Sequence, residues 1–413
     1  MTTATTEIIE TPATHPPVPI PRSAKRNAAT QAAKPPVRSE EPAARLTDEE
    51  RFRRFGEAVD KIRRRVEEQI GKDDVDYITK VDNFSRAMTI TGRALLHFSV
   101  GPVSWTAGVI ALWIGRQLQA TEIGHTALHG AFDGLPGADK FQSETFDWDV
   151  PIDEESWRYG HNIRHHQFTN IAGKDPDIHF GPVRLNAQTP HRTVNYFQVP
   201  IALAVASNFG FAMNPHFTGL LDVYSSNGRG GMDTLKDRSW KTIALAHWKT
   251  FRKWGPYYFR NYVFFPALAG PGFLKVLAGN VAAEILRDLY TAATIWCGHV
   301  GEDVKDYPEG TKARNRGEWY AMQVEGANNF EVPLPLSMLC GALDRQIEHH
   351  LFPKFPTNRL REVAPEIRQI CEEYGISYRT GTWPNTLGKV FQRVWQLSFP
   401  DKPETVEAEA VRV

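Results

Sequence analysis

The sequence predicts an all-α protein that is embedded in a membrane, and three observations indicate this. Uncharged apolar segments occupy residues 94–115 and 193–221, and residues 261–301 contain two shorter apolar pieces separated by charges. A helix crosses the bilayer core with about 20 apolar residues, so each of the first two segments is long enough. Runs that alternate apolar and polar residues, which are typical of strands, do not occur. The mean hydropathy of −0.40 keeps a soluble helical protein open as the alternative.

The two ends of the chain differ from the rest in composition. Residues 1–45 are rich in Pro, Ala and Thr, and residues 401–413 are similarly polar. Such segments bury too little apolar surface to offset the entropy lost on ordering, so we expect both tails to be disordered. We therefore expect one domain at 46–400. Its first helix should begin after Thr47, because Thr47 and Glu50 have the spacing of a capping box.

Charge and cysteine content exclude several classes of protein. Lysine plus arginine equals aspartate plus glutamate, at 48 each, and a neutral chain without a basic stretch indicates no nucleic-acid partner. The three cysteines share no short spacing, which excludes a four-thiolate iron–sulfur centre within the chain. They also form no disulfide framework, which fits a reducing, cytosol-facing compartment. The cysteines are Cys297, Cys340 and Cys371.

The first apolar segment has two interpretations. Gly101 and Pro102 lie inside it, and proline interrupts a helix. The segment is therefore either one kinked crossing or a tight hairpin of two helices, the second of which runs from Val103 toward His129.

Eight of the 14 histidines fall into four groups. The groups are His125 with His129, His161 with His165 and His166, the single His299, and His349 with His350. An HxxxH pair has roughly an even chance of occurring in such a chain, whereas HxxxHH and QxxHH are each expected at about 0.02 occurrences. The combination beside apolar segments therefore indicates a metal site.

Helix geometry explains the spacing. Histidines four residues apart lie on one face of a helix, so His125 and His129 can point two imidazoles at one metal. Adjacent histidines diverge by about 100° around the helix axis and can serve two different metals. Imidazole suits iron, copper and zinc, but eight histidines exceed the four ligands of one zinc site. Two iron ions fit this number, and so does a pair of copper ions.

Other residues near these groups have weaker patterns. A carboxylate beside a ligand histidine often orients it, although each nearby acidic residue is individually more typical of a helix cap or a solvated loop. These acidic residues are Glu122, Asp147, Asp149, Asp175, Asp177 and Glu348. Trp148, Trp157 and Phe168 are candidates for the wall of a dry pocket, or for plain core. Five other histidines have no second histidine at a spacing typical of metal ligands, and we interpret them as structural or surface residues. They are His97, His179, His191, His216 and His247.

At these residues the chain resembles the membrane fatty acid desaturases, which carry three histidine boxes of this kind. The QIEHH form at 346–350 is similar to that of front-end desaturases and of actinobacterial acyl-CoA desaturases. Further similarity to the actinobacterial group extends over roughly residues 45 to 400. Its motifs lie at 122–130, 157–159, 169–171, 297–299, 346–353 and 358–360.

The resemblance implies a fold and a metal centre. It implies an integral protein of the cell inner membrane with about four transmembrane helices, a hairpin at 94–115, and a cytosol-facing helical cap that holds two iron ions. It implies O2 as co-substrate and iron ligands at His125, His129, His161, His165, His166, His299, His349 and His350. Gln346 stands where many relatives have a ninth histidine, so its role stays open.

The resemblance also implies an activity, the insertion of a cis double bond into a long acyl chain carried as a thioester. The sequence contains neither the His-Pro-Gly-Gly signature of a fused cytochrome b5 nor a Gly-rich nucleotide loop. Electrons are therefore expected from a separate reductase, ferredoxin or cytochrome. Two alternatives remain: a histidine-box membrane hydroxylase acting on an alkyl or lipid chain, and a non-catalytic metal-binding membrane protein.

Overall fold

The computed structural model describes residues 46–224, 235, 237–301 and 303–400. Both tails that the sequence predicts to be disordered lie outside the described residues. The α-helices of the first half are α1 (Asp48–Glu67), α2 (Lys72–Phe98), α3 (Pro102–Leu118), α4 (Thr126–Leu128), α5 (Glu154–Trp157), α6 (His166–Phe168), α7 (Gln198–Ala206), α8 (Phe209–Phe217) and α9 (Leu220–Tyr224). Those of the second half are α10 (Trp240–Phe259), α11 (Phe265–Leu268), α12 (Phe273–His299), α13 (Arg316–Glu325), α14 (Leu334–Cys340), α15 (Gln346–Leu351), α16 (Thr357–Glu373) and α17 (Trp383–Gln396).

Shorter elements connect these helices. Three π-helical segments lie at Gln119–His125, Arg158–His165 and Arg260–Phe264, and 3-10 turns lie at Asp139–Phe141, Pro176–Ile178, Thr193–Phe197 and Gly270–Gly272. Two-residue strands, β1 (His179–Phe180) and β2 (Val183–Arg184), pair antiparallel with His179 opposite Arg184. The all-α prediction is confirmed, with this small hairpin as the departure.

Helix α1 begins where the sequence predicts. The Thr47 side chain accepts the backbone N–H of Glu50 at 3.4 Å, which satisfies one of the free donors of the first turn. Acidic residues in the first turn and Arg64 and Arg65 in the last turn complement the helix dipole. The buried face of α1 carries Phe55, which joins the core formed with α13, α15 and α16.

Helices α2 and α3 form a hairpin that turns at residues 99–101. Ser85 Oγ donates to the carbonyl of Gly115 at 2.9 Å, and a Cβ built on Gly92 would lie 2.4 Å from the backbone nitrogen of Leu112. Because early residues of α2 face late residues of α3, the helices run antiparallel. The hairpin interpretation of the first apolar segment is therefore the right one.

Glycine at position 92 is required by this close approach, and a Gly92→Ala variant tests it. We expect the added methyl group to push the two backbones apart and lower the free energy of unfolding by about 1–3 kcal/mol. Gly388 in α17 has no atom within 4 Å of its would-be Cβ, so Gly388→Ala is the matched control and should be neutral or stabilising. Thermal unfolding in detergent measures both. Equal melting temperatures for the two variants would contradict the close packing.

Two further long helical stretches pack beside the hairpin. One is α10 continued through the π-helical segment into α11, and the other is α12, whose 27 residues span about 40 Å at 1.5 Å per residue. Arg116 of α3 reaches across to this pair. Its guanidinium donates to Glu284 Oε2 at 3.1 Å and to Asn261 Oδ1 at 2.8 Å. These buried bonds connect α3 to both partners.

None of the described helices is by itself both long enough and apolar enough to cross a membrane. The pair Thr193–Ala206 and Phe209–Phe217, which is bent by 100°, has the required length and composition when taken as one unit.

The remaining short helices gather at one end of the long ones. The π-helical segment Gln119–His125 prolongs α3, and α12 ends at His299. Around these two ends lie α4 to α6 and α13 to α16, joined by a core that includes Trp148, Trp157 and Cys297. This end of the molecule carries all four histidine groups.

Candidate metal centre

The four histidine groups sit on different helical segments. His125 closes the π-helical segment that prolongs α3, and His129 follows α4. His161 and His165 lie in the second π-helical segment, which α6 continues from His166. The third and fourth groups, His299 and His349 with His350, end α12 and lie in α15. The sequence predicts ordinary α-helix at His125 and at His161 and His165, whereas the structure has π-helix there. Such widened turns occur often at functional sites.

The structure brings all eight histidines together at the centre of the cap. The first histidine group comprises His125, His129, His161 and His349, whose ligand atoms all lie within 4.8 Å of one another. The second histidine group comprises His165, His299 and His350, at the same spacing.

His166 lies between the two groups. Its ring centroid is 4.7 Å from that of His129 and 4.4 Å from that of His350. The structure thus contains two adjoining clusters of imidazoles with His166 shared between them, which is the arrangement expected for two metals. The ligand role of each histidine stays a prediction.

Hydrogen bonds at Nδ1 leave Nε2 of several rings directed at the centre. His161 Nδ1 lies 3.1 Å from Asp177 Oδ2, and His165 Nδ1 lies 2.9 Å from Asp175 Oδ1. A carboxylate accepts the Nδ1 proton, which fixes the tautomer that has a lone pair on Nε2. The favoured interpretation of these two acidic residues as cap or loop residues is therefore wrong, because each orients a histidine.

Two orienting residues of the second histidine group were not predicted. His350 Nδ1 lies 3.0 Å from Gln323 Oε1 and 3.1 Å from Thr169 Oγ1. Thr169 belongs to one of the sequence motifs, which was the available signal. Gln323, on α13, carries no motif, and only the fold places it beside a histidine.

Unpartnered nitrogens fit a metal. In the part of the chain that the structure describes, Nε2 of His129, His165 and His349 and both nitrogens of His166 are buried without a hydrogen-bond partner. Buried polar atoms rarely lack partners. Nε2 of His125 also lies 3.3 Å from Nε2 of His161, so the two nitrogens are close enough to bind one cation. Converging, unpartnered imidazole nitrogens are the donor set of a metal site that suits iron, copper or zinc.

Burial keeps most of these imidazoles neutral. Desolvation, followed by the neighbouring imidazoles, holds the pKa of each of five rings well below its ordinary value. The rings are those of His125, His129, His166, His349 and His350. A neutral imidazole is the form that binds a metal.

His165 differs from its neighbours in the sign of its shift. Burial lowers the pKa of its imidazole, but the charges of Asp175 and Asp177 outweigh burial and raise it to about 9. The two carboxylates thus favour a positive charge at this ring. A metal ion bound at Nε2 would supply such a charge in place of the proton.

Because the pKa of His165 is raised and the pKa values of the first histidine group are lowered, the metal affinities of the two groups should depend differently on pH. Below the raised pKa of His165, a metal must displace a proton, so the affinity of the second histidine group should fall about tenfold per pH unit from pH 9 downward. The pKa of each imidazole in the first histidine group lies well below its ordinary value because of burial, so the metal affinity of this group should hardly change between pH 8 and 7. Chelator competition across this range measures both affinities. Equal pH dependence of the two sites would contradict the assignment of the proton to His165.

Glu122 anchors the first π-helical segment to α16. Arg361 Nη2 donates to Glu122 Oε2 at 2.7 Å, and Thr357 Oγ1 donates to Glu122 Oε1 at 2.6 Å. Tyr77 also donates to this carboxylate, which is completely buried. The cluster fixes the backbone three residues before His125.

The other acidic candidates bond to side chains other than the clustered imidazoles. Glu348 accepts from Asn329 at 2.8 Å and from Tyr378 at 2.9 Å, and therefore braces α15. Asp147 pairs with Lys253 of α10, and Asp149 pairs with Arg260 at the start of the π-helical segment that follows α10. The interpretation of Asp147 and Asp149 as loop residues holds.

An apolar cavity leads away from the histidines. Its near end is lined by His125, His161 and His299, and its far end by Arg287 and Asp288. Between the ends, the walls are formed by Trp148, Val150, Ile152, Met213, Phe217 and Ile295. Trp157 also lines the cavity and stacks on His161, with ring centroids 4.5 Å apart. The two tryptophans wall a pocket as predicted, whereas Phe168 packs with Ile171 elsewhere.

Comparisons with known proteins agree with this arrangement. The family model described as "Fatty acid desaturase" matches residues 103–382. An "NADPH-dependent stearoyl-CoA 9-desaturase" of Mycobacterium tuberculosis is 32% identical over 366 residues, which cover 87% of this chain and 82% of that protein. An "sn-1 linoleoyl-lipid 6-desaturase" of Synechocystis is 27% identical over 66% of this chain and 74% of that protein. An "Acyl-lipid (8-3)-desaturase" of Mortierella alpina is 25% identical over 77% and 72%.

The matched region runs from the start of α3 to the start of α17 and includes all eight clustered histidines. The resemblance noted in the sequence is confirmed, and with it the assignment as an oxygen-dependent fatty acid desaturase. The chain belongs to the fatty acid desaturase family.

Proposed function

We propose that this protein is an integral membrane enzyme that inserts a cis double bond into a long acyl thioester at a centre of two iron ions. O2 is the co-substrate, and a separate protein supplies the electrons. The observation that carries the proposal is the convergence of eight histidines from four distant stretches of the chain. The first histidine group would hold one iron and the second histidine group the other, and His166 would be a ligand from its place beside both groups.

The donor set supports iron. Neutral imidazoles bind divalent iron, and two adjoining clusters fit two ions better than one. Two bound irons would supply the oxidising power that removes two hydrogens from adjacent methylenes, while O2, with two electrons and two protons, becomes water. The remaining contributions come from the chain itself.

Those contributions are binding, orientation and exclusion of water. Asp175 and Asp177 hold the protons of two imidazoles away from the centre, so that Nε2 faces inward. Trp157, which is 4% exposed, closes the side of the first histidine group and keeps bulk water from it. The apolar walls orient an acyl chain so that one pair of methylenes lies beside the histidines.

The membrane part of the proposal is supported by exposed apolar side chains. On the surface of an ordinary soluble protein, large apolar patches are rare. Here Phe98 is 83% exposed at the tip of the hairpin and Leu274 is 75% exposed at the start of α12. Other exposed apolar residues on the four long stretches are Ile90, Val100, Val103, Ile110, Val263, Phe264, Leu268, Ile285 and Leu286.

If lipid covers these exposed apolar residues, the histidine cap lies on one side of the membrane. We propose that the membrane is the cell inner membrane and that the cap faces the cytosol. The four long stretches would then be the four transmembrane helices that the sequence resemblance implies. The electron donor would reach the cap from the same side.

The substrate carrier is proposed from similarity. The Mycobacterium tuberculosis relative is named for stearoyl-CoA, and we propose that this chain also takes a coenzyme A thioester. The relatives from Synechocystis and Mortierella alpina are named for acyl lipids. The test must therefore compare an acyl chain carried by coenzyme A with one carried by a lipid.

The experiment is an assay of membranes that contain the full chain, with O2, a reductase system and saturated acyl-CoA. Desaturation lowers the product mass by about 2, whereas hydroxylation raises it by about 16. We expect only the first change, and only with O2 present. A product heavier by one oxygen would identify a hydroxylase, and absence of any product together with tight zinc binding would identify a metal-binding protein.

A further inference from the structure

The far end of the apolar cavity is charged, which an apolar chain alone does not require. Arg287 and Asp288 line it, and Arg287 is 2% exposed. Twelve residues separate Arg287 from His299 on the same helix, or about 18 Å at 1.5 Å per residue. Charged side chains in a helix that crosses a membrane are costly, and they usually mark a functional position.

Arg287 is held rigidly in place. Its Nε and Nη2 donate to Asp288 Oδ1 at 3.0 and 2.6 Å, and Nη2 also donates to Glu284 Oε1 at 2.8 Å. Its Nη1 donates to the Tyr257 hydroxyl at 2.7 Å. A guanidinium has five N–H groups, so one N–H on Nη1 has no acceptor among the described residues.

The cavity side of this arginine contains few protein acceptors. Gly210 faces it so closely that a Cβ there would lie 2.9 Å from Nη2. Around it the cavity is lined mainly by apolar side chains such as Phe209 and Met213. A buried donor without an acceptor costs stability. An oxygen of a bound ligand would give the spare N–H of Arg287 an acceptor.

A second, polar pocket adjoins this end of the cavity. Trp148 lines both spaces, and Tyr257, which binds Arg287, lines the polar one. The polar pocket is also lined by Arg86, Arg252 and Arg260. The charged end of the apolar cavity therefore borders a polar space, whereas its other end borders the histidines.

We infer that Arg287 donates a hydrogen bond to the carbonyl oxygen of the acyl thioester and so fixes the carboxyl end of the substrate at the charged end of the cavity. The polar carrier then lies toward the adjoining polar pocket, and the chain runs from Arg287 to the histidines. The distance from Arg287 to the histidines sets which carbon pair, counted from the carbonyl, is oxidised. Arg287 is thus a positioning residue.

The methyl end of an acyl chain would bind less favourably than its carbonyl end beside Arg287 and Asp288. A methyl terminus would desolvate Arg287 and Asp288 without offering a hydrogen bond. A carbonyl accepts the remaining N–H of Arg287, and a hydrogen bond from a charged donor is stronger than one between neutral groups.

The inference depends on the proposed acyl thioester substrate, and a charge-balanced double variant, Arg287→Met with Asp288→Asn, tests it. It removes one positive and one negative charge and leaves Arg116 paired with Glu284. We expect the KM for a saturated acyl-CoA to rise at least about tenfold, and the single double-bond position to become a mixture of neighbouring positions. Asp74→Asn with Arg359→Met removes another ion pair, formed by a buried carboxylate and a partly exposed arginine, that does not line the cavity, and this control should keep both properties.

A second variant guards against misfolding of the first. Gly210→Ala adds one methyl group beside Nη2 and displaces the guanidinium without removing a charge. We expect it to raise the KM several-fold and to yield the same kind of positional mixture. Gly388→Ala, which meets nothing within 4 Å, is its control.

The outcomes separate the claims. An unchanged KM with a single double-bond position in both variants would overturn the role of Arg287. If the variants accept longer acyl chains at an unchanged KM, the methyl end of the substrate lies beside Arg287. This result would also overturn the proposed role of Arg287. If the unaltered enzyme desaturates no acyl thioester at all, the proposed function fails, and the inference fails with it.

Discussion

Replacing His350 by alanine is expected to reduce desaturation by at least about a hundredfold, since even residues that only orient metal ligands contribute 10- to 100-fold. His350 is completely buried, and its Nε2 lies 3.0 Å from that of His299. Its loss leaves His165 and His299 as the remaining members of the second histidine group. Lipid profiling of a host with simple fatty acids, with the altered and the unaltered chain, measures the effect.

The same variant should lose metal selectively. We expect its iron content to fall to about half of the unaltered chain's, because the first histidine group keeps all of its members. His247→Ala is the matched control. That histidine bonds to Tyr224 and lies outside both groups, so activity and iron content should not change. Full desaturation by His350→Ala would show that His350 binds no catalytic metal.

The second large effect is expected from Arg361→Met. Arg361 is the only cation within hydrogen-bond distance of Glu122 among the described residues, and the carboxylate is completely buried. Removing one partner of a buried ion pair costs about 3–5 kcal/mol, because the other charge stays buried without compensation. Since Glu122 fixes the segment that ends at His125, iron binding should weaken as well. Denaturant unfolding in detergent and iron analysis measure the two effects.

A charge-balanced double variant provides the control. Glu122→Gln with Arg361→Met removes both charges of the pair, and replacing a buried pair in this way is often nearly neutral. We expect it to recover most of the lost stability. If the single variant is as stable as the unaltered chain, the pair does not anchor the π-helical segment to α16.

The histidine sites could be predicted because their signal is local. HxxxH, HxxxHH and QxxHH place two or more imidazoles on one short segment, and the helical spacing needs no knowledge of the rest of the chain. The start of α1 at Asp48 is equally local, since Thr47 and Glu50 lie within one turn. The glycine and proline at 101–102 marked a break, but the choice of a hairpin over a kink required a resemblance.

The orienting residues could be predicted only in part, because some of their contacts join distant parts of the chain. Gln323 lies 27 residues from His350 and 158 from His165, and nothing in its sequence neighbourhood marks it. Asp175 and Asp177 lie near a histidine box, but their direction depends on the turn at 169–174. Arg287 is one of the charges that separate the apolar pieces of residues 261–301, whereas in the fold it lines a cavity together with distant residues from 120–217.

The central claim is that two iron ions lie among these imidazoles. Iron analysis of the purified full chain after anaerobic reconstitution, combined with X-ray absorption at the iron edge, tests it most directly. The account predicts about two irons per chain with a nitrogen-dominated shell at about 2.0–2.2 Å, the range of metal–imidazole bonds. Fewer than about one iron per chain, or a shell dominated by sulfur, would contradict it.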